Sequence, residues 1–145
     1  KKISIKIYFC TKIFDFCKNL LYHNIMKLND VEISTELLTN KVKVCLSTLG
    51  LNERYNAFQY LTDILVDMIE KDDVPATLHK SIKKIQQKYN IGEHAVYYGL
   101  DCMFKKTNIE KLMNDAQIQP TCSAVLNKIR AIKHYILTTL SNLHD

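Results

Sequence analysis

Residues 76–106 read ATLHKSIKKIQQKYNIGEHAVYYGLDCMFKK, two apolar helical periods parted by a three-residue break. Leu78, Ile82, Ile85 and Tyr89 recur at helical spacing, with Lys80, Lys83, Lys84 and Lys88 on other faces, which predicts a helix over 76–89. Asn90-Ile91-Gly92 then interrupts the period. Val96, Leu100, Met103 and Phe104 resume it, predicting a second helix over 93–106. Two helices on so short a connection are expected to cross steeply. That is the helix-turn-helix geometry, with its centre near residues 81–106. It frees the second helix to enter a DNA major groove ~12 Å wide. Ile82, Ile85, Tyr89, Ile91, Val96 and Leu100 supply the small core such a unit needs. Gln86 stands where a small residue is expected at the closest approach of the two helices. Gly99 on the second helix is expected to relieve that crowding, at a cost of roughly 1 kcal/mol against alanine.

The same helical period extends outward in both directions. A first helix is predicted from Ser34 to Leu49, with Leu37, Leu38, Val42, Val44, Cys45 and Leu49 inward and Gly50 as its stop. Asn52 is expected to cap a second helix carrying Tyr55, Phe58, Leu61, Ile64, Leu65, Met68 and Ile69. Asp63, Asp67 and Glu70 form its other face, and Asp72-Asp73-Val74-Pro75 ends it. Asn108 is expected to cap a short fifth helix to Asp115. Thr121, after Gln119-Pro120, is expected to cap a long sixth one whose Val125, Ile129, Ile132, Ile136 and Leu140 make one apolar stripe. That stripe completes the domain's own core or, with Lys128, Arg130 and Lys133 beside it, supports a homodimer. The fold class read from this pattern is all-α, a single six-helix domain over 26–145.

Residues 1–25 read differently. Ile3, Ile5 and Ile7 alternate as in a strand, whereas Ile13, Phe16, Leu20 and Leu21 are spaced as in a helix. Two readings stay open: Met26 is the true start and 1–25 is upstream sequence read through, or 1–25 adds an amphipathic helix to the domain. Lys6, Lys12, Asp15 and Lys18 break any signal-peptide core. No apolar run reaches the ~20 residues of a membrane span, so no membrane is expected as a partner.

The chain has 145 residues, 47% hydrophobic and 24% charged, with three glycines and two prolines, which suits one helical domain. Its net charge of +5 is unevenly placed. Residues 76–145 hold ten basic side chains against five acidic ones, whereas 26–75 hold five against nine. The positive field that would attract a polyanion therefore lies in the C-terminal half. The five cysteines, Cys10, Cys17, Cys45, Cys102 and Cys122, are scattered, and no two form a C-x-x-C pair. Neither a disulfide framework nor a zinc-ligand set is expected, and a reducing, cytoplasmic location suits them. His94 and Cys102 lack a second ligand pair nearby. No glycine-rich phosphate loop, H-E-x-x-H or G-x-S-x-G occurs, so no enzyme, metal or cofactor is expected.

From Leu38 to about Ile136 the chain resembles the C-terminal effector domain of the sporulation-initiation response regulator of endospore-forming bacteria. The resemblance is carried by Leu49-Gly50, Phe58-Gln59-Tyr60-Leu61, Ile85-Gln86-Gln87-Lys88-Tyr89-Asn90 with Val96 following, Asn108-Ile109 and Pro120-Thr121. It implies a six-helix bacterial transcription regulator with a recognition helix at 93–106, tandem or dimeric binding to double-stranded DNA, and contact with RNA polymerase. The departures matter as much. Where the family presents arginines after the position of Val96, this chain has Tyr97, Tyr98 and Asp101, and the helix is about a turn shorter. Arginine forks onto guanine edges, and a carboxylate is repelled by phosphates, so the family's base-reading residues do not carry over. Residues 1–37 are too few for the family's receiver domain with its phosphoacceptor aspartate, so control by phosphorelay is not expected within this sequence.

The candidate groove-facing residues are accordingly His94, Tyr97, Tyr98, Asp101 and Lys105, with Lys83, Lys84, Lys88 and Lys106 as candidate phosphate contacts. Only one of two adjacent tyrosines can face outward from a helix. The competing reading is a protein-interaction module that keeps the fold and has lost DNA readout, to which Asp101, the tyrosines and the acidic second helix point. A solvated surface would explain the lysines equally well, and solvation is the expected role of the acidic face Asp63, Asp67 and Glu70.

Overall fold

The computed structural model describes residues 2–12, 24–71, 77–116 and 124–142, with side chains from Ile33 onward. Two strands, β1 (Lys2–Lys12) and β2 (Asn24–Ser34), pair antiparallel, with Lys2 opposite Ser34 and Lys12 opposite Asn24. Six helices follow: α1 (Thr35–Thr48), α2 (Asn56–Lys71), α3 (Thr77–Tyr89), α4 (Glu93–Lys105), α5 (Glu110–Ala116) and α6 (Ala124–Asn142). The all-α reading holds for this six-helix body. The strand-like alternation at Ile3, Ile5 and Ile7 does lie in a strand, whereas the reading of 1–25 as an extra helix fails over 2–12. The helical spacing at Ile13, Phe16, Leu20 and Leu21 falls outside the described residues, as do the expected terminator at 72–75 and the expected cap at Thr121.

Local chemistry sets the boundaries of α1. The Ser34 side chain accepts a hydrogen bond from the Leu37 amide at 3.1 Å, capping one of the first free N–H groups of the helix. At the other end Gly50 adopts φ +90°, and the Leu51 amide reaches back to the Leu46 carbonyl at 3.1 Å. A left-handed residue there satisfies carbonyls that the helix end would otherwise leave open. Asn52, expected to cap α2 directly, instead organises a turn four residues ahead of it. Its Oδ1 accepts from the Arg54 amide at 2.9 Å, and its carbonyl accepts from the Tyr55 amide at 3.2 Å.

Helix α2 is the centre of the body, touching α1, α3, α4, α6 and β1. Phe58, Leu61, Ile64, Leu65, Met68 and Ile69 are buried on it, together with Ala57, Tyr60 and Val66. Fully burying one such Leu, Ile or Phe is worth about 1.5–3 kcal/mol, so this helix anchors the rest. The buried Thr62 hydroxyl is satisfied by the Phe58 carbonyl at 2.8 Å. On α1, Leu38, Val42, Cys45 and Leu46 face the core, while Leu37 and Val44, expected inside, are exposed. The reason is period: Val44 is two positions from both Val42 and Leu46, which sets it about 160° around the helix from each and off the face they share. On α6, Ile129, Ile132, Ile136 and Leu140 are buried within the domain, so the apolar stripe is consumed by its own core.

Candidate nucleic-acid interface

Helices α3 and α4 meet at Asn90, Ile91 and Gly92. Asn90 takes φ +53°, the one non-glycine residue with positive φ among the described residues. Asparagine tolerates this left-handed conformation better than most residues. The Ile91 amide bonds to the Gln86 carbonyl at 3.2 Å, closing the end of α3, and the Ile91 side chain packs against the core. Gly92 then opens α4, its carbonyl accepting from Ala95 and Val96 at 3.1 and 3.3 Å. Beneath the corner, Ile82, Ile85, Val96 and Leu100 are buried, and Tyr89 is half-buried against them.

The same four side chains that the sequence placed inward on α4, Val96, Leu100, Met103 and Phe104, are buried. Gly99 does not face Gln86 as expected. A Cβ built on it would meet Ala57 of α2 at 3.4 Å, so the small residue permits the approach of α4 to α2.

The opposite side of α4 is open. Glu93, His94, Ala95 and Lys105 are exposed, and Tyr98 is 64% exposed, while Tyr97 is half-buried against the core. The two tyrosines thus divide as helix geometry requires. The His94 and Tyr98 rings stack at 6.3 Å with 24° between their planes. One turn further on, Tyr98 meets Cys102, and this hydrogen bond holds its phenol above the usual value. Lys105 pairs with Asp101 at 3.2 Å, an exposed i,i+4 contact that neutralises the carboxylate the groove would repel. For Tyr97, burial and then the nearby Glu93 charge push the phenol up. The outer row is therefore aromatic and nearly neutral, not strongly basic.

The four candidate phosphate lysines are not equivalent. Lys83 is exposed and makes no ion pair with a described residue. Lys106 turns back to Tyr55, donating to its hydroxyl and lying 4.7 Å from its ring centre. Lys84 pairs with Asp67 and Lys88 with Asp63, each at 3.1 Å. Asp63 and Asp67 of the acidic α2 face, expected to be merely solvated, instead form the seam on which α3 rests. Asp67 also accepts from the Ser81 hydroxyl at 2.8 Å and pairs with Lys71 at 3.1 Å. Asp63 accepts from the Tyr89 hydroxyl at 2.7 Å and from the Gln59 amide at 3.0 Å. Burial pushes the Asp67 carboxyl up, but hydrogen bonds from Ser81, Lys84 and Lys71 outweigh it and hold the group below the ordinary aspartate value. The hydrogen bond that the Lys88 ammonium donates to the Asp63 carboxylate holds this lysine above the ordinary lysine value.

The seam escaped the sequence reading, although a signal was present. Asp63 and Asp67 are four apart on one helix, and Lys84 and Lys88 are four apart on the next, with opposite sign. Among the described residues no group of three or more His, Cys, Asp or Glu side chains converges as a metal site. Among them, too, no helix is long and apolar enough to cross a membrane. No family model, curated protein or solved structure matches the chain.

Proposed function

We propose that α3, its three-residue corner and α4 form a helix-turn-helix that binds double-stranded DNA, and that the chain acts as a bacterial transcription regulator. The observation that carries this reading is the division of α4. One side is fixed by Val96, Leu100, Met103 and Phe104, and the other, with His94, Tyr98, Asp101 and Lys105, stands open beside a closed corner. A helix held on one side and presented on the other is the form that enters a major groove. The resemblance to the sporulation-initiation effector domain supports the same assignment, as does the excess of basic residues in the C-terminal half.

Readout on this face differs from a guanine-reading arginine row. Tyr98 offers a ring edge for apolar contact with a thymine methyl, and His94 offers a ring nitrogen at the start of the helix. Asp101 accepts from a cytosine amino group if Lys105 moves to a phosphate. Phosphate contacts come from Lys83 and the lysines of the α3 flank. The test is a mobility-shift titration of the full chain on random duplex DNA between about 50 and 200 mM salt. Binding at low salt that weakens steeply with added salt is the expected result; no binding at the lowest salt ends the DNA reading.

A second reading, a protein-interaction module with RNA polymerase or another copy of the chain as partner, is favoured by one specific observation. Three of the four candidate phosphate lysines already have intramolecular acceptors, and Asp101 lies among the outward aromatic side chains. Such a face would tolerate high salt. Capture of polymerase or self-association that persists as salt rises would favour this alternative.

A further inference from the structure

Asp63 and Asp67 each work in two directions. Inward, they accept from the partly buried hydroxyls of Tyr89 and Ser81, at 2.7 and 2.8 Å, which ties α3 to α2. Outward, they hold the ammonium groups of Lys88 and Lys84 at 3.1 Å, on side chains that remain 59% and 56% exposed. Asp63, Asp67, Ser81, Lys84 and Lys88 line a cleft of about 450 Å³ between α1, α2 and α3, with Thr35, Thr39 and Ile85 also on its walls. A carboxylate oxygen at this distance occupies the place a phosphate oxygen would take on the same lysine.

We propose that the α2 carboxylates are internal competitors of DNA, keeping Lys84 and Lys88 engaged until a phosphate displaces them. The proposal rests on the DNA-binding reading and adds a restraint on its affinity. The geometry permits the exchange without unfolding, because Ser81 and Tyr89 keep α3 seated while only the exposed ion pairs open. The two lysines differ in the cost of release. Asp67 keeps Lys71 as a charged partner when Lys84 leaves, at 3.1 Å. Among the described residues, Asp63 keeps the neutral donors Gln59 and Tyr89 when Lys88 leaves. Lys84 therefore exchanges first.

An exposed ion pair typically biases an equilibrium by a factor of about 1.5–5. Freeing both lysines should tighten binding about two- to twentyfold at low salt. Because salt screens the internal pairs as well, the variant's advantage should shrink as salt rises, so its log affinity falls more steeply with log salt than that of the wild type. The experiment compares four full-length proteins on the same random duplex: wild type, D63N/D67N, K84Q/K88Q and the quadruple variant. Asparagine keeps an oxygen for the Tyr89 and Ser81 hydroxyls, and a thermal melt of each protein checks that the fold is retained. Tighter, more salt-sensitive binding by D63N/D67N, with the gain abolished in the quadruple variant, is the expected result. A gain that survives in the quadruple variant reflects the loss of two negative charges alone and overturns the proposal. Unchanged affinity in D63N/D67N, with the wild type binding normally, overturns it while leaving the DNA reading intact. Failure of all four proteins to bind removes both.

Discussion

Replacing Gly99 by alanine should stabilise the protein, and the sign follows from one distance. Glycine within a helix costs about 0.8–1 kcal/mol against alanine, because the unfolded chain it must abandon is more flexible. The opposing cost is steric, and among the described residues outside α4's own backbone and the two chain neighbours of Gly99, an added Cβ meets Ala57 Cβ alone within 4 Å, at 3.4 Å. That is close to ordinary van der Waals contact, so the methyl fits with a shift of a few tenths of an ångström at most. The net gain is about 0.5–1 kcal/mol. Folded domains of this size have an unfolding entropy of about 0.3 kcal/mol/K, so the melting temperature should rise by about 2–3 °C. Gly99→Leu tests the same spacing from the other side, since atoms beyond Cβ press on α2 and should cost about 1–3 kcal/mol. Thermal and urea unfolding followed by far-ultraviolet circular dichroism measure both. Destabilisation by Gly99→Ala, or a leucine variant as stable as the parent, would refute the packing argument for α4 on α2.

Other expectations address the corner, the seam, the thiols and the outer face. Asn90→Ala should cost about 1 kcal/mol because alanine resists the φ of +53°, whereas Asn90→Gly should be neutral or better, as urea midpoints will show. The lowered Asp67 carboxyl adds stability that is full above the ordinary aspartate value and is lost as pH falls through its lower folded value. The acid limb of the stability profile below about pH 4 should therefore flatten in Asp67→Asn. Burial pushes the Cys45 thiol up while Cys102 is half-exposed, so alkylation mapped by mass spectrometry should label Cys102 well before Cys45. Tyr98→Ala should leave the stability within about 0.5 kcal/mol of the parent, because that side chain is mostly solvated, yet weaken DNA binding several-fold in the mobility-shift titration.

Where one helix buries a clear face, the sequence was sufficient. Val96, Leu100, Met103 and Phe104 on α4, and Ile129, Ile132, Ile136 and Leu140 on α6, carry the 3.6-residue period openly and are buried. The stops at Gly50 and Asn90 were equally legible, since few residues accept a positive φ. Apolar character alone misled at Val44, which is 65% exposed, while Leu46, omitted from the expected face, is fully buried. The hairpin was half visible. In β1 the alternation at Ile3, Ile5 and Ile7 is plain, but their pairing with Ile33, Val31 and Asn29, far along the chain, leaves no local mark. The polar seam lay beyond local reading for a similar reason. Its bonds join residues 14 to 26 positions apart, and a charged stripe looks the same whether it faces water or a neighbouring helix. Of the candidate site, the division of labour between Tyr97 and Tyr98 was readable from spacing, whereas the engagement of Lys84, Lys88 and Lys106 was not.

The corner at Asn90 has a kinetic consequence. Its left-handed residue, the Ile91 amide bond to Gln86 and the buried side chains beneath it hold the angle between α3 and α4 before any target arrives. A partner that docks on the outer row spends none of its binding energy on setting that angle, and the local cost is the opening of exposed side-chain ion pairs. Association should then show no slow phase from backbone rearrangement, its rate rising linearly with target concentration because opening an exposed ion pair is fast beside encounter.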